Sequence, residues 1–215
     1  MCSSDLPGWQ GPVGFGGDHL SPGASVSPVF EQNPGVFAAL TVDRHGRMNV
    51  VWLDMNQPSP GWQGPVGFGG QHLAPGGSVS PVFEQSPGVY AALTVDSYRR
   101  MNVVWLDMNR PSPSWQGPVG FGDPHLGPGA PVSPVFAQNP GVFAALTVDR
   151  HGQMNVVWLD VNQASPGWQG PVGFGGSHLT PGAPVSPVFE QNPGVFAALT
   201  IDRRGRMNVA WLDTN

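Results

Sequence analysis

Short apolar runs cut by turn residues set the rhythm of this chain. "VFAALTVD" (Val36–Asp43) and "RMNVVWLD" (Arg47–Asp54) flank "RHG", and "VSPVFEQ" (Val26–Gln32) precedes them across "NPG". After "MNQPSPG" comes a fourth run, "WQGPVGF" (Trp62–Phe68). Enrichment in Val, Phe, Trp and Thr, short lengths, and Gly, Pro, Asn and Asp between the runs predict strands joined by tight hairpins. Helices are not expected, because proline recurs too often for a capped run of helical period.

The four runs return at a fixed step. Trp9, Trp62, Trp115 and Trp168 each open a "WQGPVGF" at a spacing of 53 residues, and Trp52, Trp105, Trp158 and Trp211 keep the same step. Self-similarity at such a period marks units that bury their apolar faces only against neighbours of the same kind. Four short antiparallel strands per unit make a propeller blade. The predicted fold is therefore all-β, a β-propeller of four near-identical 53-residue repeats with four antiparallel strands per blade.

The boundaries follow from the copies. The repeats run over about 17–69, 70–122, 123–175 and 176–215, preceded by a strand at 9–16 that has the sequence of a fourth strand. Residues 1–6, "MCSSDL", have no counterpart in the other copies and read as a junction artefact outside the propeller of 7–215. A chain that starts with a fourth strand and stops after a third is expected to close by pairing its two ends, which leaves no long edge free. A piece of a larger propeller, or a homo-oligomer in which two copies complete eight blades, are the alternatives.

Composition narrows the function. The 31 glycines and 25 prolines sit at fixed places in the repeat, as turn punctuation does, so their abundance does not signal disorder. Charged residues make up 11% and the net charge is −5, which provides no basic stripe for nucleic acid. No apolar run is long enough for a membrane-spanning helix, and no signal peptide is visible. A soluble protein acting outside the cell is the expectation. Cys2 stands alone, so neither an internal disulfide nor a thiolate metal cluster is expected, and no cofactor or metal is called for.

Topology selects candidate ligand-binding residues. The stretch "GGDHLSPGAS" (Gly16–Ser25) must cross from the outer strand of one blade to the inner strand of the next, on the face where the "VDRHGRMN" hairpin emerges. His19, Asp43, Arg47 and Asn49 can converge there, as can His72, Asp96, Arg100 and Asn102 in the second copy. The third copy offers His125, Asp149, Gln153 and Asn155, and the fourth His178, Asp202, Arg206 and Asn208. Together they supply the donors and acceptors that satisfy sugar hydroxyls. On the opposite face Trp9, Trp62, Trp115 and Trp168, with Gln32 and Asn33, form an alternative site with an aromatic platform.

Each candidate has a structural rival. The histidine can tie the crossover down, Asp43 can cap its own turn, and Asn49 can serve the end of the ladder. Trp52, in mid-strand, is expected to pack between blades. Two positions vary while the strands stay fixed: the residue before the histidine (Asp18, Gln71, Pro124, Ser177) and the hairpin tip ("RHGR", "SYRR", "RHGQ", "RRGR"). The second copy has Arg99 where the others have glycine, which predicts a different turn.

The phrase "D-x-x-G-x-M-N-V-x-W" (Asp43–Trp52), followed by "GWQGPV" and a "PG"-containing crossover, resembles the PLL-type bacterial fucose-binding β-propeller lectins, and more loosely the tectonin and fungal fucose-lectin propellers. The resemblance covers the chain after Leu6. It implies a multivalent carbohydrate-binding lectin whose partners are glycans, with neutral fucose-like or methylated sugars held in clefts between blades. PLL-type lectins close with seven blades, and the four copies here depart from that number. The alternative is a non-catalytic propeller scaffold for protein–protein interaction.

Enzyme chemistry finds little support, and no catalytic residues are assigned. A copy offers Asp43, Asp54 and sometimes Glu31, which is Ala137 in the third copy, so no obvious carboxylate pair recurs. Neither a sialidase "S-x-D-x-G-x-T-W" box nor a "G-x-S-x-G" elbow is present, and the histidines lack metal-ligand spacing. Near-identical repeats suit a binder that gains avidity from equal weak sites.

Overall fold

The computed structural model describes residues 13–215. Its described strands form four antiparallel sheets, each made of strands consecutive in sequence. The first blade holds β1 (Phe30–Asn33), β2 (Val36–Val42), β3 (Arg47–Asp54) and β4 (Trp62–Gln71). The second holds β5 (Phe83–Ser86), β6 (Val89–Val95), β7 (Met101–Asp107) and β8 (Trp115–Phe121). The third holds β9 (Phe136–Asn139), β10 (Val142–Val148), β11 (Met154–Asp160) and β12 (Gln169–Phe174), and the fourth β13 (Phe189–Asn192), β14 (Val195–Ile201) and β15 (Met207–Asp213). The all-β architecture of repeated blades is the one predicted.

The first strand of each blade is shorter than the sequence run suggests, and proline is the reason. Pro28 has no N–H to give the ladder. Ser27 takes over: its N–H donates to the Leu40 carbonyl at 2.8 Å, and its Oγ accepts from the Leu40 N–H at 2.9 Å. The same exchange recurs at Ser80 with Leu93, Ser133 with Leu146 and Ser186 with Leu199. The strand therefore starts at Phe30, while Val26 keeps one isolated bridge to Thr41.

Packing between blades explains why the second strand is apolar on both faces. Leu40, Val42 and Met48 of the first blade lie against Leu73 and Val79 of the next crossover and against Ala92 and Val104 of the second blade. Small alanines on the facing strand let the sheets approach. Equivalent clusters join the second blade to the third around Leu93, Val95 and Met101, and the third to the fourth around Leu146, Val148 and Met154. Each fully buried Leu, Val or Met contributes about 1.5–3 kcal/mol by leaving water.

The row does not close on itself among the described residues. The fourth sheet has three strands, and no described strand pairs with the outer edge of β15. Val13–Gly16 form no strand, and the Phe15 ring instead faces Trp62 of the first blade at 6.1 Å. The rest of the predicted N-terminal strand, including Trp9, and the leader 1–6 lie outside the described residues. Because the interblade side chains fix the angle between sheets, four blades need not meet end to end.

Candidate functional site

Crossover and hairpin meet on one face of every blade. The Arg44 N–H donates to the His19 carbonyl at 3.2 Å and Leu20 bridges Asp43, so the chain entering a blade is stitched to that blade's own hairpin. The next crossover is stitched to the same hairpin from the other side, Leu73 N–H donating to the Gly46 carbonyl at 3.0 Å. Gly46 has φ +74°, and a Cβ there would run into the Leu73 carbonyl. Glycine at the tip is thus what lets two blades share one hairpin.

Inside this frame the predicted residues form a hydrogen-bonded chain. His19 Nε2 lies 3.3 Å from Asn49 Oδ1, and Asn49 Nδ2 donates to Asp43 Oδ2 at 3.2 Å and to the Arg47 carbonyl at 2.9 Å. Asp43 Oδ1 accepts from the His45 and Arg47 N–H groups at 2.8 and 2.9 Å. The second blade repeats the chain, with His72 to Asn102 at 3.2 Å and Asn102 to Asp96 at 2.9 Å. The third joins His125 to Asn155 at 2.9 Å, and the fourth joins His178 to Asn208 at 3.2 Å.

Burial divides the set. Asn49 and Asp43 are 1% and 4% exposed and spend their polar atoms on the hairpin itself. His19 and Arg47 are half-buried, while Arg100 and Arg206 are exposed. The Arg47 side chain passes over Gly67 of β4, where a Cβ would stand 2.9 Å from Arg47 Cδ. That glycine, with Gly120 and Gly173 in the later copies, forms a floor that sequence reasoning did not single out. Its signal was the invariant second glycine of "GPVGF".

Electrostatics follow the hydrogen bonds. Burial alone would raise the Asp43 carboxyl, but the Arg47 N–H, the Asn49 amide and the His45 N–H outweigh it and hold the group below its ordinary value of 3.8. At Asp202 the Arg206 N–H is the main cause, followed against it by burial and then by the Arg206 side chain and the Arg204 N–H, and the carboxyl falls to about 2. Arg206 Nε stands 2.9 Å from Asp202 Oδ2. These aspartates are ionised turn anchors.

The second blade carries a cleft on this face, a cavity of about 510 Å³ lined by His72, Asp96, Tyr98, Arg100, Asn102, Gly120 and Pro124. Tyr98 is the variable hairpin tip and Pro124 the variable residue before the next histidine, so both variable loops border one space. The turn expected to differ does not: Arg99 adopts φ 72° and donates to the Asp96 carbonyl at 3.2 Å, as Gly46 does to Asp43.

The opposite face also gathers its predicted residues. Gln32 and Asn33 line a cavity of about 310 Å³ with Trp52, Asp54 and Trp115. Trp115 is wedged between blades, its ring 6.0 Å from Phe30 and 5.8 Å from Phe68, and Trp168 repeats this on Phe83 and Phe121, each at 6.0 Å. The indole N–H groups of Trp115 and Trp168 are buried without a partner. Trp62 is 38% exposed against Phe15. The reading of Trp52 as the filler between blades is corrected: Trp52 is half-buried along the groove, and the Trp115 set fills the gap because it opens the fourth strand, where adjacent sheets diverge most.

Comparison with known proteins bears out the resemblance to propeller lectins. The chain superposes on the crystal structure of BP39L lectin from Burkholderia pseudomallei with a TM-score of 0.78 and 26% identity, covering 91% of this chain and 54% of that one. It shares its fold with a triple arginine-to-alanine mutant of AofleA from Arthrobotrys oligospora, at a TM-score of 0.61, 11% identity and coverage of 89% and 54%. The chain spans about half the length of these solved structures. No family model matches the chain, and no curated relative does.

Proposed function

We propose that this protein is a multivalent carbohydrate-binding lectin that holds a neutral, fucose-like or methylated sugar in the cleft between crossover and hairpin on each blade. One observation carries the reading. The two loops that vary among otherwise uniform copies border the same cavity, above a His72–Asn102 contact that recurs in all four blades and that Asn102 extends to Asp96. A fixed polar floor under variable walls fits one ligand class bound at several sites of graded affinity. The likeness to a Burkholderia lectin supports the same class.

The roles follow from accessibility. Asp43, Asn49 and their equivalents hold the floor rigid and do not reach ligand. The histidine donates through Nε2 to the asparagine Oδ1, which leaves its other ring nitrogen to accept from a sugar hydroxyl, while the arginine or glutamine at 47, 100, 153 and 206 donates to sugar oxygens. Tyr98 offers an aromatic flank in the second blade. A glycan array followed by calorimetry with fucose, methylated fucose and other neutral monosaccharides tests the reading. Millimolar or tighter binding that is lost when the arginines and Gln153 are changed to alanine is the expected result. No binding on the array, with capture of a protein ligand instead, would replace the lectin reading with a scaffold.

A further inference from the structure

The first and second blades differ in how the crossover leaves them. In the first, β4 runs on through Gly69 and Gly70 to Gln71, which stands opposite Arg47 in the ladder. In the second, β8 stops at Phe121, whose partner is Met101, and Arg100 lies beyond the end of the ladder. The His125 N–H there turns back to the Asp123 carbonyl at 3.0 Å, so the crossover bends away from the hairpin instead of continuing along it.

Two residues account for the difference, because "GGQH" of the first crossover is "GDPH" in the second. A Cβ at Gly70 would stand 2.9 Å from His72 Nδ1, so the extended course requires glycine there, and Asp123 carries the side chain for which that course has no room. Pro124 in turn has no N–H to give a ladder.

The side chains of the cleft follow the crossover. Arg47 is half-buried on the Gly67 floor, and its Nε is shut off from solvent with no partner among the described residues. Arg100 is exposed and stands off its floor: a Cβ at Gly120 would be 3.8 Å from Arg100 Cδ, against 2.9 Å from Arg47 Cδ at Gly67. The hairpin tips divide the same way. His45 accepts from Arg44 Nε at 3.1 Å, whereas Ser97 Oγ donates to the Leu73 carbonyl at 3.0 Å and leaves the Tyr98 ring, 68% exposed, to line the cleft. In the third blade Gln153 folds onto Gly173, and its amide donates to the Gly175 carbonyl at 3.3 Å.

We propose that the two residues before the crossover histidine set the sugar affinity of the blade that the crossover leaves. The proposal rests on the lectin reading. Asp123 and Pro124 hold the second blade's cleft open, with Arg100 and Tyr98 presented to a ligand, and Gly70 and Gln71 close the first blade's cleft over Arg47. A sugar entering the first blade has to unpair Gln71 and lift Arg47, and apparent affinity falls in proportion to the fraction of molecules already open. Near-identical copies thereby carry sites of unequal strength.

Modification by phenylglyoxal, mapped to Arg47 and Arg100 by mass spectrometry, reads the gate without a ligand, and calorimetry with fucose and methylated fucose reads the sites. In the parent chain Arg100 is expected to react about tenfold faster than Arg47. Asp123→Gly with Pro124→Gln slows Arg100 to the rate of Arg47 and weakens the tightest sugar site about tenfold. Gly70→Asp with Gln71→Pro speeds Arg47 and adds one tight site per chain. Both exchanges copy pairs that the chain already uses in its own crossovers, and circular dichroism checks that the fold persists. Equal rates at the two arginines of the parent chain overturn the proposal, as does a sugar titration that neither exchange moves. No binding heat with any sugar, while the arginine rates still split, ends the lectin reading and the role in affinity together, and the split tells that outcome apart from a failed gate.

Discussion

His72 Nε2 and Asn102 Oδ1 stand 3.2 Å apart although 30 residues separate them in sequence. The contact fastens a crossover to the hairpin of the blade it enters, and Asn102 Nδ2 continues it to Asp96 Oδ2 at 2.9 Å and the Arg100 carbonyl at 3.1 Å. Asn102 is fully buried. Changing Asn102 to alanine removes a donor from a buried carboxylate and is expected to cost about 1–3 kcal/mol. Urea denaturation of the variant beside the parent chain reads this directly, and an unchanged midpoint would mean that water replaces the amide.

Arginine and aspartate of the same hairpin part ways. Arg100 is exposed and is expected to change stability by no more than about 0.5 kcal/mol when made alanine, while sugar affinity at its blade is lost. Asp43, buried and accepting from two backbone N–H groups and one amide, behaves oppositely. Asp43→Ala lowers the melting temperature, and any loss of affinity follows from the hairpin. Measuring both quantities for each variant separates contact from support.

Acid should loosen the hairpins in a defined window. Asp43 and Asp202 have folded values below the ordinary 3.8, the latter about 2. A group depressed in the folded state contributes stability that is complete above its unfolded value and is lost as pH falls through the folded one. Stability is therefore expected to hold from neutral pH down to about pH 4 and to decline between about pH 4 and pH 2. In Asp202→Asn the decline is shallower and the neutral-pH stability lower. Denaturation midpoints across that range check both statements.

The strands, blade count and meeting of His19 with Asp43, Arg47 and Asn49 were legible because each depends on local pattern repeated at one spacing. Alternation, turn residues and the 53-residue step leave few topologies for four short runs. Burial was not legible. The sequence left Asp43 and Asn49 open between ligand contact and turn support, and only the fold shows their atoms taken up by the hairpin. How the ends pair was not legible for a related reason: a fourth strand at the start and a third at the finish meet only if the angle between blades permits it, and side-chain volume at Leu40, Met48 and Ala92 bears on that angle.

The two tryptophan sets should differ in what they stabilise. Trp115 packs on Phe30 and Phe68 and joins the core between the first two blades, so Trp115→Ala is expected to cost about 3–5 kcal/mol. Trp52 borders a groove and belongs to none of the interblade cores, so Trp52→Ala costs less. Sugar affinity lost in Trp52→Ala with the fold intact would shift the binding surface to the groove of Gln32 and Asn33. Thermal melts paired with calorimetry on the two variants decide between the faces.

Arg99 holds a position that the other copies give to glycine. Its φ of 72° matches Gly46 at 74°, Gly152 at 81° and Gly205 at 75°. An L-residue in this left-handed region carries about 1–2 kcal/mol of strain, whereas glycine adopts it freely but loses about 0.5–1 kcal/mol of extra chain entropy on folding. The balance favours Arg99→Gly by about 0.5–1 kcal/mol. Because the turn keeps the 3.2 Å bond from residue 99 to the Asp96 carbonyl, the cleft of His72, Tyr98 and Arg100 keeps its shape and its sugar affinity. A raised unfolding midpoint with unchanged binding is the expected outcome. A lowered midpoint would show that the Arg99 side chain makes contacts worth more than the strain of its backbone.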